Sequence, residues 1–170
     1  MRAVPACRDD GSVNVVVESS RGSTMKLKFQ PDYDCFELSR PLPSGLIYPH
    51  DWGFVPATRA ADGDPLDAFI AWTDATPTGT VVQCRLIGAL NVEQNSRSSG
   101  GRERNDRLVA VPIKAVAMDG VATVLDLPGR WRDEIERFFL ASVAFEGKDL
   151  KLLGWSGPAV AEALLRRSMI

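Results

Sequence analysis

The chain has 170 residues, of which 45% are hydrophobic and 25% are charged, and its formal net charge is −2. These values are ordinary for a globular protein with a sizeable core, and the small net charge gives no reason to expect binding to nucleic acid or to an anionic membrane. Charged residues interrupt every apolar stretch, so we expect no membrane-spanning segment, and the charged N-terminus is unlike a secretory signal.

Three cysteines and one histidine restrict the metal chemistry that the chain can perform. Cys7, Cys35 and Cys84 are far apart in sequence and form no C-x-x-C motif, and His50 is the only histidine. This composition excludes a zinc site built from cysteine and histidine. We predict a cytoplasmic protein with reduced cysteines, in which any bound metal is held by oxygen ligands.

The first two thirds of the chain predict strands joined by turns. Alternating or valine-rich stretches that favour strands are found at 12–19, 24–29, 34–38, 68–72, 80–93 and 107–113. The stretch 42–57, "LPSGLIYPHDWGFVPA", mixes prolines and glycines with aromatic residues, and we expect an irregular loop that packs. The polar stretch 94–106, "QNSRSSGGRERND", predicts a flexible excursion between two strands.

Two later segments have helical spacing. In 131–145, "WRDEIERFFLASVAF", apolar residues recur every three to four positions, which predicts an amphipathic helix. In 157–170, Pro158 falls near the first turn and two arginines near the end, which predicts a C-terminal helix. We therefore expect an α+β, β-rich protein with two C-terminal helices, forming a single domain over residues 1–170.

An acidic turn is the clearest functional signal. Asp62, Asp64 and Asp67 fall within six residues of "RAADGDPLDAFIAW", immediately before a predicted buried strand. Carboxylates this close repel one another unless positive charge lies among them, and Mg²⁺ and Mn²⁺ favour such ligands. A calcium EF-hand is excluded because the sixth and twelfth positions lack the required glycine and glutamate. A solvated acidic turn that caps a hairpin is the structural alternative.

Basic residues upstream of this turn indicate an anionic substrate. Lys26 and Lys28 lie on one face of a predicted strand, and Arg40 and Tyr48 follow. Phosphate oxygens fit such a site, since metal ions neutralise some of them while arginine and lysine bind others. Each cation taken alone is equally consistent with a solvated strand face.

Several segments in sequence order resemble the soluble family I inorganic pyrophosphatases. "DGDPLDAFI" matches the D-x-D-P-x-D signature, "IYPHDWGFVP" resembles the aromatic loop before it, and "RLIGALNVE", "RLVAVP", "RFF" and "LLGW" follow as further landmarks. The resemblance implies a small closed β-barrel of OB type with two flanking helices. It also implies hydrolysis of pyrophosphate to two phosphates with Mg²⁺ (Mn²⁺ as a possible substitute) and a homo-oligomer, a hexamer among bacterial relatives.

The resemblance also assigns roles to residues. It implies that Asp64 is the general base that takes a proton from the metal-activated water. The metal ligands that it implies are Glu18, Asp62 and Asp67, with Asp106 as a further candidate. The implied substrate-binding residues are Lys26, Arg40, Tyr48 and Arg107.

Some positions depart from the family pattern. Lys28 replaces an expected glutamate, Trp52 an expected tyrosine, and Asn105 and Arg107 an expected aspartate and lysine. Asp106 could replace the missing aspartate only with a backbone shift, since adjacent strand residues face opposite ways.

Two further departures concern a metal ligand and a phosphate-binding cation. Glu93 or Gln94 is the nearest candidate for an earlier metal aspartate, and Ser142 and Val143 replace an expected tyrosine and lysine. Arg97, Arg102 and Arg104 could fold over the substrate as compensation, and Lys28 could supply part of the positive charge of a metal ion.

Three functions therefore remain open at the level of sequence. The first is a magnesium-dependent inorganic pyrophosphatase with reduced activity. The second is a related protein that hydrolyses or binds another phosphorylated compound. The third is a catalytically impaired member kept for protein interaction.

Overall fold

Five strands close into a ring. The computed structural model describes residues 4–96 and 100–170. Within these residues the ring runs in the order β1 (Val13–Ser19), β4 (Asp51–Val55), β5 (Leu66–Ile70), β8 (Arg107–Pro112) and β6 (Val81–Asn95), and β6 pairs again with β1. Neighbouring strands are antiparallel except β5 and β8, which are parallel. Closure leaves the ring without a free edge.

The remaining elements attach to this ring. Strands β2 (Met25–Gln30) and β3 (Cys35–Pro41) form a separate two-stranded hairpin. Strands β7 (Arg102–Arg104) and β9 (Lys151–Ser156) both pair with the long strand β6. The helices are α1 (Gly129–Ser142) and α2 (Pro158–Ser168), with short 3₁₀ helices at Val116–Met118 and Val124–Asp126.

The core has an interior and an exterior part. All five ring strands contribute side chains to one buried cluster, which the apolar residues Ala161, Leu164 and Leu165 of α2 join. A second cluster lies outside the ring, where Phe138 and Phe139 of α1 pack against aromatic residues of β4 and β5. Alternate strand residues face opposite sides, so the ring can pack α2 on its inner residues and α1 on its outer ones.

The predicted closed OB-type barrel with two helices is confirmed, and three strands were missed. The irregular loop expected at 42–57 contains β4, the polar excursion contains β7, and no element was expected at β9. All five residues of β4 are buried, so this strand lacks the polar–apolar alternation that marks a half-buried strand. In the described part of the chain no helix has the length and apolar character needed to span a membrane.

Candidate active site

The acidic turn joins β4 to β5 and is fixed by its own backbone. The amide of Ala60 donates to the carbonyl of Asp64 at 2.7 Å, and the amide of Asp64 donates to Oδ1 of Asp62 at 3.2 Å. Gly63 has a φ of 86°, a left-handed conformation that glycine adopts without strain. Thr58 closes the base of the turn, since its hydroxyl accepts from the amide of Leu66 at 2.9 Å.

Asp64 and Asp62 each meet a protein donor. Lys28 Nζ lies 2.8 Å from both carboxylate oxygens of Asp64. The amide nitrogen of Asn105 donates to Oδ2 of Asp62 at 2.8 Å. Burial raises the pKa of Asp62 despite the hydrogen bond from the backbone amide of Asp64. Both donors stand at positions that depart from the family pattern.

Asp67 is paired with a buried arginine. Arg107 Nε lies 3.2 Å from Oδ2 of Asp67, and Arg107 is 5% exposed. Its guanidinium carbon lies 5.6 Å from the ring centroid of Trp52 and 5.7 Å from that of Phe139. Among the described residues Nε of Arg107 has no hydrogen-bond acceptor of good geometry. The guanidinium is therefore held between Asp67 and two aromatic rings.

Glu18 completes the acidic side of the site from β1. Its carboxylate accepts from the amide of Phe29 at 2.8 Å, and the residue is 6% exposed. Burial raises the pKa of Glu18 to about 7, although the Phe29 hydrogen bond opposes this shift, and the charge of Asp67 adds to it. Glu18 is thus a carboxylate without sufficient positive charge around it.

A cavity of about 720 Å³ unites these groups. Of the described residues, its lining carries four carboxylates, Glu18, Asp62, Asp64 and Asp67, and four cations, Lys26, Lys28, Arg107 and Lys148. Burial lowers the pKa of Lys26, and the nearby charge of Asp67 opposes that shift. Opposite charges thus line one cavity in equal number.

A smaller cavity of about 30 Å³ adjoins the first and holds the other two predicted substrate residues, Arg40 and Tyr48. Arg40 forms an ion pair with Glu146 and donates to the carbonyl of Ser142 at 2.9 Å. Tyr48 is 3% exposed, and burial raises the pKa of its hydroxyl. Both cavities are lined by Lys26, Gln94, Arg107 and Lys148.

Asp106 is a predicted metal ligand that the structure does not bring to either cavity. Its carboxylate accepts from the amide of Val92 at 2.8 Å and pairs with Arg104, whose Nη2 is 2.8 Å away. Asn105 and Arg107 line the large cavity instead. Neighbouring residues of an extended chain point to opposite sides, and no backbone shift changes that here. The prediction for Asp106 is therefore corrected.

The arginines of the polar excursion also have other partners. Arg102 pairs with Glu93 and with Asp149, whose Oδ2 lies 2.8 Å from Nη1, and Arg104 pairs with Asp106. Neither lines the large or the small cavity described above, so the hypothesis that these two fold over the substrate is not supported. Arg97 lies outside the described residues.

The structure adds site residues that sequence reasoning missed. Lys148 follows α1 and lines both cavities, with Nζ 2.9 Å from Oε2 of Glu146. Burial raises the pKa of Glu146, but the hydrogen bond and charge of Lys148 and the charge of Arg40 have the larger effect, so the pKa is lowered. Glu93 and Gln94 are the two candidates for the position of an earlier metal aspartate. Gln94 lines both cavities, whereas Glu93 pairs with Arg102. The stretch 146–149, "EGKD", is the sequence signal that could have indicated Lys148 as a cation of the site.

The donor chemistry of the large cavity fits a hard divalent cation. Glu18 and Asp62 are desolvated carboxylates with raised pKa values, and a bound cation would supply the positive charge that they lack. Within 4–96 and 100–170, however, no three acidic, histidine or cysteine side chains already converge as a metal site. The ligands fit by chemistry and require rearrangement of their present partners.

A closed barrel that gathers carboxylates and cations at one cavity defines a protein suited to a small polyanion accompanied by metal. A sequence model of the inorganic pyrophosphatase family matches residues 15–170. An inorganic pyrophosphatase from a Synechocystis species is 38% identical over 152 residues, which are 89% of this chain and 86% of that protein. The chain therefore belongs to the inorganic pyrophosphatase family.

Solved structures of relatives agree with this assignment. The crystal structure of inorganic pyrophosphatase from Thermus thermophilus has a TM-score of 0.89 and 31% identity, covering 99% of this chain and 95% of that one. The inorganic pyrophosphatase from Helicobacter pylori has a TM-score of 0.87 and 30% identity, covering 98% and 96% respectively. The likeness extends over nearly the whole of each chain.

Proposed function

We propose that this protein hydrolyses inorganic pyrophosphate to two phosphates, with Mg²⁺ as its divalent cofactor and Asp64 as the general base. The proposal rests on one observation: the signature aspartates of this family member share a cavity with cations from three other parts of the fold. Pyrophosphate is a compact polyanion, and such a ligand needs cations on several sides.

The cations divide the work of binding the two phosphate groups. Lys26 on β2, Arg107 on β8 and Lys148 after α1 approach the large cavity from different elements. The guanidinium of Arg107 is planar, lies against aromatic rings and carries several N–H donors, which suits it to a phosphate oxygen. Arg40 and Tyr48 serve the adjoining smaller cavity.

Glu18, Asp62 and Asp67 are the residues that would hold the divalent cation. A cation bound there would supply charge neutralisation of the diphosphate and lower the pKa of a water molecule. Asp106 takes no part in this proposal because its carboxylate is bound to Arg104. Mn²⁺ is expected to substitute, since it favours the same oxygen ligands.

Asp64 is the carboxylate best placed to accept a proton from the attacking water. Its side chain is 44% exposed and faces the cavity, and its partner Lys28 is 38% exposed. Half-exposed ion pairs contribute little free energy, so Lys28 can leave Asp64 when a phosphate oxygen competes for its ammonium group. Asp64 then becomes free to act as a base.

The test is phosphate release from pyrophosphate, measured over a Mg²⁺ titration and after chelation. We expect activity that requires the divalent cation, and a decrease in kcat of about 10²-fold or more in Asp64→Asn, the range for loss of a general base. Asp119→Asn is the matched control because Asp119 is exposed and lines neither cavity. Intact pyrophosphate at high protein concentration would refute the proposal and favour another phosphorylated compound.

We further propose a cytoplasmic homo-oligomer, a hexamer by resemblance to bacterial members of the family. Cys7, Cys35 and Cys84 are all free thiols, which suits a reducing compartment. Sedimentation equilibrium of the purified protein measures the assembly directly.

A further inference from the structure

Every aspartate of the acidic turn has a protein partner from another part of the fold. Lys28 comes from the β2–β3 hairpin, while Asn105 and Arg107 come from the region where β8 begins. Repulsion within the turn is thus offset by groups of the chain itself. Lys28 and Arg107 place positive charge at Asp64 and Asp67 before any divalent ion binds, whereas the partner of Asp62 is the neutral amide of Asn105.

The charges of the large cavity also balance. Its described lining has four acidic and four basic side chains, and burial opposes the charge on both sides, at Glu18 and at Lys26. A cavity built only to collect several divalent ions would carry an excess of negative charge. The balance here leaves room for fewer ions than the number of carboxylates suggests.

Lys28 and Arg107 differ in their freedom to move. Arg107 is 5% exposed and lies against the rings of Trp52 and Phe139, so its charge is permanent at Asp67. Lys28 is half-exposed, and its long side chain reaches Asp64 from a two-stranded hairpin outside the barrel sheet. Lys28 is therefore the cation that can occupy the turn or leave it.

We infer that the Lys28 ammonium is a tethered cation that occupies the position of one divalent ion at Asp64, so that this chain binds one metal ion fewer than its carboxylates would otherwise hold. The inference rests on the proposed function only in taking this cavity as the metal site. An ammonium group 2.8 Å from both oxygens of Asp64 excludes a metal ion from the same two lone pairs.

The consequence is a competition at Asp64. A divalent ion that approaches this carboxylate must displace the ammonium group of Lys28. The displaced ammonium group stays nearby on the β2–β3 hairpin and repels the ion, because both are positively charged. In the absence of metal, Lys28 supplies positive charge at Asp64. Removal of its charge should open a metal site and make the turn depend on metal.

The test counts bound Mn²⁺ by electron paramagnetic resonance of the free ion, without substrate. We expect Lys28→Glu to bind one more Mn²⁺ per chain than the wild type, with affinity at that site about tenfold or more above any residual wild-type binding. Lys28→Gln, which removes the charge without adding a ligand, should bind Mn²⁺ with intermediate affinity. Lys114→Glu is the control, since Lys114 is exposed, lines neither cavity and gives the same change in net charge.

A second readout is thermal unfolding with and without Mn²⁺. Lys28→Glu should have a lower Tm than Lys114→Glu in chelator and should gain more from Mn²⁺, because the turn then relies on the ion. Equal Mn²⁺ counts and equal Mn²⁺-induced shifts in Lys28→Glu and Lys114→Glu would overturn the inference. If Lys28→Glu fails to fold without metal, the Lys28→Gln count decides alone. Neither readout needs turnover, so a protein that leaves pyrophosphate intact can still pass or fail this test.

Discussion

At the scale of single residues, the departures from the family pattern act as pairs. Trp52 and Arg107 stand far apart in sequence, yet the indole ring supports the guanidinium group. A planar guanidinium stacks on an aromatic face, whereas a lysine ammonium does not. Similarly, Lys28 reverses the charge of the glutamate expected at its position, and in the structure its ammonium group is the partner of Asp64. The departures at Trp52, Arg107 and Lys28 are thus explained by contacts that spacing alone does not reveal.

Glu18 gives a prediction of pH dependence. Its folded pKa of about 7 lies above the ordinary value, so between about pH 4.5 and 7 the folded state binds more protons than the unfolded state. The stability of the metal-free protein should therefore fall as the pH rises through this window. Glu18→Gln removes the buried charge and should raise the free energy of unfolding at pH 8 by roughly 3 kcal/mol, with little gain at pH 4.5.

Urea denaturation in chelator at both pH values measures this difference. Glu37→Gln is the control, because Glu37 is exposed on β3 and should change stability little at either pH. A gain for Glu18→Gln that is equal at pH 4.5 and pH 8 would contradict the assignment of a buried carboxylate charge.

At the scale of elements, β4 shows why the local signal failed. This strand carries Trp52 into the aromatic cluster under α1 and leads directly into the acidic turn. It lies so close to β1 that a Cβ on Gly53 would be 1.9 Å from the carbonyl oxygen of Val16. A glycine that lowers strand propensity in the sequence is required by the neighbouring strand.

Gly53→Ala should separate β1 from β4 and destabilise the protein by about 3 kcal/mol, the upper part of the range for overpacking. Gly120→Ala is the control, since nothing lies within 4 Å of a Cβ at that exposed position. Chemical denaturation of both variants measures the loss. Stability equal to that of Gly120→Ala would show that β1 and β4 are not paired as described.

At the scale of the whole molecule, closure of the barrel joins all parts of the core. Strand β6 pairs with β1, β7, β8 and β9, so the interior cluster and the exterior cluster under α1 share one backbone. Helix α2 closes the interior from the C-terminal end of the chain. None of the five ring strands can therefore unfold and leave the rest with a complete core.

We therefore predict a single domain that unfolds in one cooperative transition. The four tryptophans report on different regions, since Trp72 packs on the interior cluster and Trp131 on the exterior cluster under α1. Tryptophan fluorescence and far-UV circular dichroism should therefore give the same midpoint in urea. Two separated midpoints would indicate two independently stable units.

The sequence by itself determined both helices, most of the strands and the acidic turn, because these depend on hydrophobic period, turn residues and a local motif. The barrel class was implied by the resemblance to a known family. Tertiary structure alone decided that β4, β7 and β9 are strands, since their pairing partners come from distant parts of the chain. It also decided that Asn105 and Lys148 line the cavity whereas Asp106 does not. Charges on separate elements compensate one another only after folding brings them within a few ångströms, and no local pattern carries that distance.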